Sequence, residues 1–138
     1  MSTAQPSEPP DPPTSVEQLL AAARARLRRL SPESAHAAMG EGALLVDIRS
    51  DGQRAADGTI PGAHVVPRNV LEWRLDPACP HRDPQLTRPG APIVLLCDEG
   101  YQSSLAAATV CSFGVAATDV IGGFQAWRAA GLPVERPD

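Results

Sequence analysis

The sequence predicts an α/β domain built on a mainly parallel sheet. Two short apolar runs, Leu44-Leu45-Val46-Asp47-Ile48 and Ile93-Val94-Leu95-Leu96, lack the alternation of a half-solvated strand. They read as strands covered on both faces. Segments with helical apolar spacing and capping residues lie around and between them, so strands alternate with helices along the chain. At 138 residues the chain is long enough for one domain with a real hydrophobic core.

Residues 1–14 are rich in proline, serine and acidic side chains and read as a disordered tail. An amphipathic helix is expected over 15–30. Ser15 and Gln18 have capping-box spacing, and Val16, Leu19, Leu20, Ala23, Leu27 and Leu30 share one face, with Arg24 and Arg28 off it. Glu17 in its first turn and Arg28 and Arg29 in its last suit the helix dipole. The modest apolar stripe favours packing on the domain (31–138) over membrane or partner binding. Ser31-Pro32-Glu33 opens a second short helix that ends near Gly40 or Gly42.

After the first strand, the polar segment Ser50 to Asp57 reads as a turn and short helix, and Gly58 to Ala63 as a turn. Ala63 to Val66 reads as a short strand. Asn69 is placed to cap a helix through Val70, Leu71, Trp73 and Arg74. Five prolines over 76–92 mark a surface loop. A helix from Ser103 stops at Gly114, with Ser103 or Ser104 as its cap. Thr118 to Ile121 is the last strand, and Gly122-Gly123 leads into a helix ending at Gly131.

Composition narrows the function. The net charge of −4 gives no nucleic-acid footprint. All 12 basic residues are arginine, which reads as the codon bias of a GC-rich genome. No apolar run approaches the roughly 20 residues that cross a bilayer, and no signal pattern opens the chain, so a reducing cytoplasm is expected. Three cysteines, Cys79, Cys97 and Cys111, form neither a disulfide framework nor a metal-ligand spacing. His36, His64 and His81 likewise lack ligand spacing. No metal or cofactor is expected.

Cys97 carries the chemical interest. It ends an apolar strand and opens a loop, Asp98-Glu99-Gly100-Tyr101-Gln102, that enters an alanine-rich helix. The thiolate is the nucleophile, and an ordinary cysteine pKa of about 8.5 falls at a helix N-terminus. Residues 98–102 can curl their amides around the sulfur as an anion-binding nest. Gly100 permits the positive φ a tight cradle needs, and Ser103 can add a hydroxyl. The alternative is a buried structural cysteine, a common state for this residue type. Cys111 on an apolar helix face reads as such a core thiol, and Cys79 as an incidental surface residue.

Four segments, in order, resemble the rhodanese-like domain family. They are Leu45-Val46-Asp47-Ile48-Arg49, Ile60-Pro61-Gly62-Ala63, Cys97-x-x-Gly100-x-x-Ser103 and Gly122-Gly123-Phe124-x-Ala126-Trp127-x-x-x-Gly131-Leu132-Pro133-Val134. The resemblance implies a mainly parallel five-stranded sheet flanked by helices on both faces. It also implies a sulfurtransferase in which Cys97 carries a sulfane sulfur as a persulfide. A small donor (thiosulfate, polysulfide or persulfide) would load it, and a thiol, cyanide or an acceptor protein would unload it. Phosphatases of the same fold use a Cys-x-x-x-x-x-Arg loop. Here the sixth position after Cys97 is Ser103, and no arginine lies between Cys97 and Trp127.

The loop departs from the family in charge. Asp98 and Glu99 are acidic, and Gln102 stands where arginine is common; Thr59 replaces a frequent histidine. If the carboxylates face the pocket they repel an anionic donor and favour the thiol; if they face solvent, only their amides matter. Arg68 and Arg74 are candidates for the missing positive charge, the alternative being solvated arginines on a helix. Asp47 and Arg49 either touch substrate or order the strand-end loops. Tyr101 shapes or shields the entrance, and Trp73 packs or lines its wall. The rival functional readings are a weak or inactive rhodanese-like module that binds protein partners, and a redox sensor pairing Cys97 with Cys79.

Overall fold

The computed structural model of the protein describes residues 11–136. The proposed tail therefore lies mostly outside the described residues; its last four, 11–14, are exposed and without regular structure. The elements are α1 (Val16–Arg24), α2 (Pro32–Gly40), β1 (Leu44–Asp47), α3 (Asp51–Asp57), β2 (His64–Val65), a 3-10 turn (Arg68–Val70), α4 (Leu71–Leu75), β3 (Ile93–Leu96), α5 (Gln102–Cys111), β4 (Ala117–Asp119) and α6 (Gly123–Ala129).

The sheet has four strands in the order β2-β1-β3-β4, all parallel. The expected fifth strand is reduced to one parallel bridge, Leu30 with Val120. The Leu30 amide donates to the Asp119 carbonyl at 3.0 Å, and the Ile121 amide donates to the Leu30 carbonyl at 2.8 Å. Ser31-Pro32 starts α2 immediately afterwards, so this edge segment cannot lengthen. It still covers the exposed side of β4.

Strand alternation sorts the core into two layers. Leu44, Val46, Ile93 and Leu95 point to one face, with Leu71, Leu75, Ala106 and Val110. Leu45, Val94 and Leu96 point to the other, with Ala35, Phe124 and Trp127. Cys97 continues the Ile93-Leu95 phase and so faces α5.

Helix ends follow local chemistry. Ser31 accepts from the Ser34 amide and Ser50 from the Gln53 amide; the second is a full capping box. At α1, Ser15 accepts from the Gln18 amide, but the Gln18 side chain takes the Thr14 amide instead of closing the box. α1 ends at Arg24, not Leu30. Beyond it the chain turns, and Arg26 and Leu27 donate to the carbonyls of Ala23 and Arg24 at 3.1 Å. This turn carries Leu30 to the sheet edge while Leu27 still reaches the core. Asn69 makes no cap: the 3-10 turn and α4 begin without a side-chain hydrogen bond. Among the described residues no helix is long and apolar enough to cross a membrane.

Candidate active site

Parallel sheets bind ligands beyond the carboxyl ends of their strands, where the strand order reverses. Here that point lies between β1 and β3, from which the chain winds outward to β2 on one side and β4 on the other. A cavity of about 270 Å³ opens there, lined by Ile48, Arg49 and Gln53 after β1 and by Cys97, Asp98, Glu99, Tyr101 and Gln102 after β3.

Cys97 is buried, with 7% of its surface exposed, yet it lines this cavity. Its Sγ accepts from the amides of Gly100 at 3.1 Å and Ser103 at 3.3 Å. Gly100 has φ +88°, and a Cβ there would lie 2.8 Å from the Gly122 amide nitrogen. A side chain at this position is therefore both strained and crowded. The expected serine cap on α5 is absent: its N-cap position, Tyr101, makes no side-chain bond. The sulfur takes that role by accepting from Ser103 N, one of the amides a helix start leaves unpaired. This frees both serine hydroxyls to face inward.

The inner side of the loop is held by residues far away in sequence. Asp119, at the end of β4, is fully buried. Its Oδ2 accepts from Ser103 Oγ at 2.7 Å and Ser104 Oγ at 2.8 Å, and its Oδ1 from Arg29 Nε at 2.9 Å. Arg24 Nη2 and Arg29 Nη2 both donate to the Gly100 carbonyl, at 2.8 and 3.0 Å. They fix the loop from behind. α6 holds its other end, with Phe124 N donating to the Cys97 carbonyl at 2.9 Å and Gln125 N to the Asp98 carbonyl at 3.0 Å.

The outer rim is acidic. Asp98 Oδ1 accepts from Gln125 Nε2 at 2.9 Å, and the same amide reaches Asp57 Oδ2 at 3.0 Å. Glu99, Tyr101 and Gln102 are exposed at the mouth, and the Arg24 guanidinium lies 5.5 Å from the Tyr101 ring centroid. Asp47 and Arg49 pair with each other, Nη2 to Oδ2 at 2.8 Å, and Arg49 Nη2 also reaches the Gly58 carbonyl at 2.9 Å. With its side chain fully buried and stacked 3.8 Å from the Phe124 ring centroid, the Arg49 guanidinium braces the wall.

Arg68 and Arg74 are not brought to the cavity. Arg68 Nη1 pairs with Glu72 at 2.7 Å, and Arg74 Nη1 donates to the His81 carbonyl at 2.9 Å. Each is committed within its own segment. Trp73 is exposed and absent from the cavity wall. Arg24, Arg29, Asp119 and Gln53 were missed from sequence. A signal existed for Asp119: like Asp47, it is a carboxylate closing a short strand, where solvation alone explains it poorly.

Comparison with known proteins agrees with this architecture. The rhodanese-like domain family model matches residues 31–130. The chain belongs to the rhodanese-like domain family. Thiosulfate sulfurtransferase GlpE of Pseudomonas entomophila is 36% identical over 104 residues, covering 74% of this chain and 85% of that one. The Pseudomonas fluorescens protein of the same name is 37% identical over 105 residues, covering 73% and 84%. Among solved structures, a Rhodopseudomonas palustris protein of unknown function, described as a possible tyrosine phosphatase, superposes with TM-score 0.82 at 31% identity. It covers 94% of this chain and all (100%) of that one.

Proposed function

We propose that this rhodanese-like protein is a sulfurtransferase that carries a sulfane sulfur on Cys97. The reading rests on one observation above all: Cys97 lines the cavity at the end of the sheet, and its Sγ accepts two loop amides, at 3.1 and 3.3 Å. In the first half-reaction the thiolate attacks the outer sulfur of the donor. A bond forms from Sγ to that sulfur, the donor's sulfur–sulfur bond breaks, and its electron pair leaves with the departing thiolate or sulfite. In the second, an acceptor thiolate or cyanide takes the outer sulfur and Cys97 recovers its electron pair. Sulfur in the sulfane state passes along at each step, so no external oxidant or reductant is consumed.

A phosphatase reading fits less well. Such chemistry needs a guanidinium fork aimed at the oxyanion. Among the described residues, Arg24 and Arg29 bind the Gly100 carbonyl on the far side of the loop, and Arg49 is buried against Asp47. The acidic mouth bears on the donor. Asp98 and Glu99 oppose a doubly charged donor such as thiosulfate more than a singly charged organic persulfide. The test is a panel of thiosulfate, polysulfide and cysteine persulfide against wild type, Cys97→Ser and Glu99→Gln. Wild type is expected to transfer sulfur and Cys97→Ser to transfer none. Glu99→Gln should raise kcat/KM for thiosulfate by about twofold at low salt, with the gain vanishing at high salt. Equal transfer by Cys97→Ser would end the reading. Transfer by neither protein from any donor would favour a binding module.

A further inference from the structure

The buried network behind Cys97 can be counted hydrogen by hydrogen. Ser103 and Ser104 each own one hydroxyl hydrogen. Asp119 Oδ2 sits 2.7 Å from Ser103 Oγ and 2.8 Å from Ser104 Oγ, both at the usual distance for a hydroxyl donating to an oxygen. The other acceptor near Ser104, the Gly100 carbonyl, is farther at 3.2 Å and already takes Arg24 and Arg29. Both hydroxyl hydrogens therefore point at Asp119. Ser103 Oγ is left facing Cys97 Sγ, 3.2 Å away, with a lone pair. In that arrangement the serine accepts from the S–H.

An anionic sulfur reverses the requirement. A lone pair 3.2 Å from a thiolate is repulsive, and no other hydroxyl reaches the sulfur among the described residues. Asp119 can release the Ser103 hydrogen, because Arg29 Nε at 2.9 Å, Arg29 Nη2 at 3.2 Å and Ser104 Oγ at 2.8 Å still satisfy it.

We propose that Ser103 is a hydrogen-bond switch set by Asp119: its hydrogen is held by the carboxylate while Cys97 is a thiol, and it turns to the sulfur when the sulfur becomes an anion. Only the S–H bond breaks. Its proton leaves to water at the cavity mouth, and the serine keeps its own hydrogen and rotates about Cβ–Oγ. Asp119 is thus a positioning residue that acts through Ser103, with Arg29 supplying the charge that lets it do so. The proposal rests on reading Cys97 as the reacting sulfur, but its test uses no sulfur donor.

The experiment is a double-mutant cycle on Cys97 alkylation by iodoacetamide at one near-neutral pH, read by peptide mass spectrometry. The variants are Asp119→Asn, Ser103→Ala and the pair together. A neutral amide grips the serine hydrogen less firmly and leaves it for the thiolate. Asp119→Asn should therefore speed alkylation about fivefold when Ser103 is present, and by less than about twofold when it is replaced. The same acceleration in both backgrounds would mean that charge alone acts through space, and no acceleration would mean that Asp119 is only structural; either result overturns the switch. Should the Asp119 variant not fold, infrared spectroscopy decides. The Cys97 S–H band, assigned by its loss in Cys97→Ser, should move to higher frequency in Ser103→Ala. An unmoved band would show that the thiol never donates to the serine.

Discussion

Two arginine–aspartate pairs brace the carboxyl end of the sheet, and they differ in how they are assembled. Arg49 closes on Asp47, only two residues away, and then reaches the Gly58 carbonyl at 2.9 Å. Arg29 closes on Asp119, ninety residues away (|i−j| = 90), and then reaches the Gly100 carbonyl at 3.0 Å. Both glycines have positive φ, +94° and +88°, and both are pressed against neighbouring backbone. The same device thus fixes two turns. One is self-contained and shapes the approach to β2. The other ties the N-terminal segment to the cysteine loop and leaves the serine hydroxyls aimed at a carboxylate. A local pair makes a wall; a long-range pair makes an adjustable contact with the sulfur.

Breaking the pairs should rank them by burial. Asp47→Ala strands a guanidinium with a fully buried side chain, which already has one unpaired nitrogen, Nη1. The expected loss is about 3–5 kcal/mol in urea unfolding. Asp119→Ala should cost less, about 1–3 kcal/mol, because the Arg29 side chain is 15% exposed and can rehydrate. A larger loss for Asp119 would mean that the long-range pair, not the local one, anchors the sheet end.

The glycines sharpen the contrast. Gly58→Ala and Gly100→Ala should each cost about 1–3 kcal/mol through strain and crowding. Only Gly100→Ala should also slow Cys97 alkylation, because of these two glycines it is Gly100 whose amide donates to the sulfur. Equal alkylation rates in the two variants would contradict the cradle. At the small end, Glu72→Gln removes the partner of Arg68 in a part-exposed pair and should change stability by no more than about 0.5 kcal/mol, with sulfur transfer untouched.

The same contrast marks what could be read from the sequence. β1, β3 and the Cys97 loop were legible because each signal is local: an apolar run, a glycine, a helix-forming stretch. The role of Asp47 and Arg49 in ordering strand-end loops was open to view for the same reason, their separation being two residues. Arg29 with Asp119 was not, since nothing local brings together residues ninety positions apart. Leu27 and Leu30 extended the apparent helical face of α1, yet they reach the core from a turn and a sheet edge. Apolar spacing cannot separate those cases. The serine cap failed because an unusual acceptor, the Cys97 sulfur, occupies the helix start.

The most direct measurement is mass spectrometry of the Cys97 peptide after brief exposure of the protein to a persulfide donor, followed by addition of an acceptor thiol. The account predicts that Cys97 gains the mass of one sulfur atom, that Cys79 and Cys111 do not, and that the acceptor removes it. An unloaded Cys97 in a folded protein, or sulfur found on the other cysteines instead, would contradict it.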